Sequence, residues 1–156
     1  MSEAKIAQQR GINGWLLVMV IYVGAIGPGG GFQSTQRGLT SAELHDTSLA
    51  ANPVWHIIKN IYWGQWALLA ALGLAAGALL LWRWKPSTPR LVMWLMFART
   101  LVPLGFTYFT YAAWVRPEVP ISFVREILYT ATLYLVSAIG WTLYLWRSKR
   151  VKNTYG

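Results

Sequence analysis

From Ile61 to Trp82 the chain carries no charged side chain at all. An α-helix rises about 1.5 Å per residue, so this stretch alone covers the roughly 30 Å hydrocarbon core of a bilayer. In hydrocarbon every backbone N–H and C=O must find its partner inside the protein, which makes a helix the natural form of such a segment. Three more apolar stretches repeat the pattern: Ile12 to Gly27, Leu91 to Val115 and Ile127 to Trp146, with Arg99 the sole charge within them. The pattern predicts an all-α membrane protein, a four-transmembrane-helix bundle forming a single membrane domain over 1–156. Its helices are expected at about 12–29, 60–83, 91–115 and 125–147, with a short outer interfacial helix at about 41–51.

Composition agrees with that class. Apolar residues make up 55% of the chain, and there are ten tryptophans and eight tyrosines, whose amphipathic rings favour the boundary between acyl chains and water. Cysteine is absent, which excludes disulfides, thiolate nucleophiles, cysteine zinc sites and cysteine-ligated iron–sulfur clusters. The net charge of +9 falls mostly in short segments flanking apolar runs, so it speaks for orientation and anionic lipid rather than nucleic acid, which is not expected as a partner.

Orientation follows from where Lys and Arg lie. With the amino terminus inside, the inner segments hold Lys5, Arg10, Arg83, Lys85, Arg90, Arg147, Lys149, Arg150 and Lys152 against one acid, Glu3. The outer segments hold Arg37, Lys59, Arg116 and Arg125, balanced by Glu43, Asp46, Glu118 and Glu126. Such an asymmetry in short loops predicts that both termini are cytoplasmic. The first run is short and ends at Gly27-Pro28-Gly29-Gly30-Gly31, a cluster expected to unwind the helix near the outer interface. Its basic start and small residues also suit a secretory signal, expected here to be retained as a signal anchor.

The long outer connection, Phe32 to Asn60, has its own signals. Thr40 and Glu43 read as a capping box, with Leu39 stapling onto Leu44, so a short helix should start there and stop at Asn52-Pro53. Pro53 then opens a run with Trp55, Ile57 and Ile58 that should enter the second membrane helix through an interfacial segment.

Arg99 is the residue most suggestive of function, because a charge well inside an apolar helix is costly unless paired, hydrated or able to reach the headgroups. No acid lies at matching depth in the sequence. The partners open to it are Gln65, Tyr108, Tyr134, Ser137, backbone carbonyls, water, a lipid phosphate or another subunit; the competing reading is a long stem snorkelling toward the inner interface. Pro103, four positions on, removes the donor that would bond the Arg99 carbonyl. Thr107, Tyr108, Thr110 and Tyr111 give the outer half of that helix a polar stripe. The candidate ligand- or lipid-binding set is therefore Arg99, Gln65, Tyr108, Tyr111 and Tyr134. Gly73 and Gly77, four apart amid alanines, mark a face for close helix packing. His45 and His56 have no partners at metal-ligand spacing, no nucleophile with its base can be assembled, and neither metal nor cofactor is expected.

Both ends of the chain carry recognisable motifs: Gly11-Ile12-Asn13-Gly14-Trp15-Leu16 opening the first helix and Ser148-Lys149-Arg150-Val151-Lys152-Asn153-Thr154-Tyr155 after the last. They resemble the YdgK-like proteins, a small bacterial inner-membrane family classed only as a domain of unknown function. Asn13 stands where that family has the first Gly of a Gly-Gly-Trp-Leu element, and Leu143-Tyr144 where it has Pro-Tyr. The resemblance implies a four-helix fold in the bacterial inner membrane and brings no activity, ligand or partner. In the tail, Arg147, Lys149, Arg150 and Lys152 suit lipid anchoring, while Val151, Thr154 and Tyr155 suit a docking surface.

Three functions remain open on these grounds. The first is a non-enzymatic accessory or scaffold subunit packed against a larger membrane complex or a second copy of itself. The alternative is a protein that binds or transports a lipid or small amphiphile through Arg99. An enzyme acting on lipid head groups would need Glu43, His45, Asp46, His56, Glu118 and Glu126 to converge.

Overall fold

The computed structural model describes residues 14–82, 85–114 and 121–155, and all of its regular structure is helical. Residues 12 and 13 of the expected first helix, Arg83 and Val115 at the ends of the next two, and Glu3, Lys5, Arg10, Arg116 and Glu118 lie outside the described residues.

The first helix, α1, runs without a break from Trp15 to His45. Gly14 precedes it with a φ of 60°, a left-handed conformation that favours glycine. The helix was expected to end at the Gly-Pro-Gly-Gly-Gly cluster and restart near Ser41; instead it crosses the cluster. Two features explain this. Between Tyr22 and Ile26 the helix widens to a π-helical turn, with the Gly27 N–H bonding back to the Tyr22 carbonyl. Pro28 therefore falls in the first turn after the widening, where a proline is tolerated. The glycines, each costing about 1 kcal/mol of helix propensity, are compensated by contact with the next helix. The Trp66 Nε1–H donates to the Pro28 carbonyl at 2.9 Å, and Phe32, Trp63 and Trp66 pack ring on ring.

The expected capping box is consequently mid-helix. Leu39 is buried while Leu44 is exposed, so the two form no staple. Glu43 reaches across instead, accepting from Lys59 Nζ and from Trp55 Nε1, each at 2.8 Å. The short outer helix reduces to a 3₁₀ turn, Thr47–Ala51, capped by the Asp46 carboxylate on the Ser48 N–H.

Helix α2 spans Pro53–Trp82, so the segment expected to lie along the interface is continuous with it. Helix α3 spans Thr88–Trp114, α4 spans Ile121–Arg147 and a short α5 spans Lys149–Tyr155. Among the described residues, α1, α2 and α3 are long and apolar enough to cross a membrane. Helix α2 sits between α1 and α3, and α4 packs chiefly on α3. The core of Leu16, Met19, Val23, Leu80, Val92 and Met96 lies at the end of the bundle where Lys85, Arg90 and Arg147 also lie. Helix α5 folds back over this end, and Val151 and Tyr155 join the core.

Candidate functional site

Two glycines set the spacing between α1 and α2. Gly77 faces Gly24, where an added Cβ would sit 3.4 Å from the Gly24 Cα, in van der Waals contact, so the two backbones run close together here. One turn along, a Cβ on Gly73 would fall 2.6 Å from the Val23 carbonyl oxygen. That carbonyl belongs to the π turn. In its register the next donor would be Pro28, which has no N–H, so the sequence Val23…Pro28 leaves a carbonyl aimed at the neighbouring helix.

Arg99 enters this junction from α3. Its side chain is 8% exposed. A Cβ on Gly27 would meet Arg99 Nη2 at 2.6 Å and the Tyr22 carbonyl at 3.1 Å, and a Cβ on Gly73 would stand 3.5 Å from the guanidinium carbon. The cation therefore lies among α1, α2 and α3, walled by two glycines and bordered by the carbonyls of the π turn. Gly27 and Arg99 are each roughly 17 Å of helix rise from the basic-end starts of their helices, so the guanidinium remains at the depth of its own backbone and does not snorkel toward that end.

Among the described residues no acid pairs with the cation. Its Nε is buried and without a hydrogen-bond partner, and the ion pair found among the described residues joins Lys59 to Glu43, far along the bundle. Carbonyl dipoles offset part of the cost of burying a guanidinium, yet a buried charged donor with no acceptor is unfavourable by several kcal/mol, on the order of the penalty for an unpaired buried ion. Among the described residues none supplies an acceptor to that Nε.

The residues singled out with Arg99 divide. Tyr134, on α4, is close enough to interact electrostatically with it, and so is Tyr22 on α1, which sequence reasoning did not select. Tyr108 and Tyr111 lie roughly 13 and 18 Å farther along α3, and Gln65 roughly 12 Å from Gly73 along α2. Tyr108 packs edge-on against Phe109. These three line no common site with Arg99. Tyr22 carried no signal because the π turn, which rotates the face of α1, is not written as a spacing rule.

Among the tail residues, Arg147, Lys149 and Lys152 are exposed; of Arg150 only the backbone is described. Tyr155 faces inward. Its hydroxyl donates to the Leu80 carbonyl at 2.6 Å, and burial pushes the phenol up to about 12, with Tyr144 contributing in the same sense. Its ring is thus occupied by the chain itself. His45, through Nδ1, lies 2.8 Å from the Ser41 carbonyl, and among the described residues no three metal-binding side chains converge.

No curated protein and no solved structure matches this chain. A family described as "Protein of unknown function (DUF2569)" matches residues 9–156, and with nearly the whole length covered the chain belongs to that family.

Proposed function

We propose that the protein is a bacterial inner-membrane bundle of four membrane helices, both termini cytoplasmic, that holds an acidic lipid or small amphiphile through Arg99. The resemblance of its terminal motifs to those of the YdgK-like inner-membrane proteins supports the localisation. The observation that carries the reading is the buried Arg99 Nε without an acceptor, at a three-helix junction, with no described carboxylate near it. A cation fixed in hydrocarbon without a partner of its own attracts an anion from outside the chain. Arg99 supplies the charge, Tyr22 and Tyr134 line its approach, and Gly27 and Gly73 make room for the planar head.

The test is native mass spectrometry of protein extracted gently from its own membrane. An acidic amphiphile should accompany the wild type, and the one equivalent held at Arg99 should persist weakly with Arg99→Lys, whose ammonium lacks the planar fork, and be lost with Arg99→Leu. Equal retention by Arg99→Leu, or no acidic amphiphile on the wild type, would overturn the reading.

A second reading, the accessory subunit, is favoured by α4, which packs chiefly on α3 and turns Leu128, Leu133, Val136 and Trp146 outward. The same spectra discriminate it: a stoichiometric protein in place of the amphiphile supports the accessory role.

A further inference from the structure

At the basic end of the bundle, away from Arg99, α5 and the start of α3 enclose a groove of about 190 Å³. Its floor is apolar, formed by Met93, Leu145 and Val151, and its rim carries Arg90 from α3 and Lys152 from α5. Both rim residues are exposed. The groove exists because α5 is held down. Ser148 separates it from α4 and caps it, its Oγ accepting from the Val151 N–H at 3.5 Å, while the Tyr155 hydroxyl fastens the other end to α2. Lys152, one turn after Ser148, is thereby fixed over the floor rather than left on a loose tail.

The geometry points to an anionic-phospholipid site, with the lipid phosphate between Arg90 and Lys152 and the start of an acyl chain on the Met93–Leu145–Val151 floor. Charge complementarity identifies the occupant. Lys85, Arg90, Arg147, Lys149 and Lys152 gather at this end, while the acids whose side chains are described, Glu43 and Asp46, sit at the other. The volume suits a phosphate with its glycerol and is too small for a partner helix. Trp146 on the groove wall is largely exposed, as a ring at the headgroup level would be.

The full chain, reconstituted in phosphatidylcholine nanodiscs containing a minor fraction of phosphatidylglycerol and released for native mass spectrometry, tests this. In an Arg99→Leu background, which removes the other proposed anion site, Arg90→Gln and Lys152→Gln should each lower phosphatidylglycerol retention about fivefold, and the two together about 30-fold. Lys85→Gln removes the same charge at the same end but outside the groove, and should leave retention within about twofold. Circular dichroism on each variant confirms that the helices persist. Equal losses from Lys85→Gln and Arg90→Gln, undiminished retention in the double variant, or equal retention of phosphatidylcholine would overturn the site.

Discussion

Arg99 shows how much of a membrane protein's packing is decided by what is missing from its neighbours. The guanidinium fits because residues 27 and 73 have no side chain, and the two glycines differ in what a Cβ would strike. At Gly27 it meets the end of a flexible arginine as well as the helix's own Tyr22 carbonyl; at Gly73 it meets the Val23 carbonyl of another helix, which moves only if the helices part. Gly73→Ala should therefore destabilise by about 2–3 kcal/mol and Gly27→Ala by about 1–2 kcal/mol. Gly105, where nothing lies within 4 Å, should tolerate alanine or gain up to about 1 kcal/mol of helix propensity. Thermal unfolding of the three variants in one detergent gives the order directly. That Arg99 is exceptional was legible from its depth in an apolar run. That Tyr22, Gly27 and Gly73 surround it was not, because no periodicity specifies which faces of three helices meet.

At the scale of elements, α1 departs furthest from expectation, and the reason is physical. Glycine and proline weigh against a helix in water, where a broken backbone bond finds a solvent partner. In a bilayer the helix is the only local arrangement that keeps those groups paired, and a π turn absorbs the proline. The aromatic wall on α2 then stabilises the glycine-rich turns. Trp66→Phe keeps the ring packing while removing the bond to the Pro28 carbonyl, and should cost about 1 kcal/mol and raise amide exchange across residues 28–32. The apolar runs underlying α2, α3 and α4 were visible in the sequence, that of α3 despite Arg99, but the length of α2 was not, since Pro53 sits at its first residue, where proline starts a helix as readily as it ends one. In the sequence Val151 and Tyr155 suit a docking surface; the structure turns both onto the chain's own core as part of helix α5, which two apolar positions one turn apart in an otherwise polar segment did not reveal. Tyr155→Phe should loosen it, increasing amide exchange over residues 149–155 about fivefold. The Tyr155 phenol is raised from its ordinary value of 10.0 to about 12, so the folded state binds its proton more tightly than the unfolded chain. Docking of α5 is then fully favoured below about pH 10 and is lost as pH rises through about 12.

For the molecule as a whole, basic residues at one end and the Glu43–Lys59 clamp at the other give the bundle a polarity that the membrane must read. The absence of cysteine makes this simple to examine. The proposed orientation predicts that a single cysteine at Leu44 reacts with an impermeant maleimide in intact cells, and one at Lys149 only after the membrane is opened; the reverse pattern would invert the bundle. Arg99 lies roughly 17 Å of helix rise from the start of α3, where the basic groove begins, so the two proposed sites lie at separate levels. At the first of these, we propose, Arg99 is completed by an acid from outside the chain. Solid-state NMR of ¹⁵N-arginine-labelled protein in its native membrane reads it at the atom concerned. Magnetisation should pass from the Arg99 Nε–H to a phosphate phosphorus or carboxylate carbon that is not the protein's own; transfer to water alone would show that no such acid is bound.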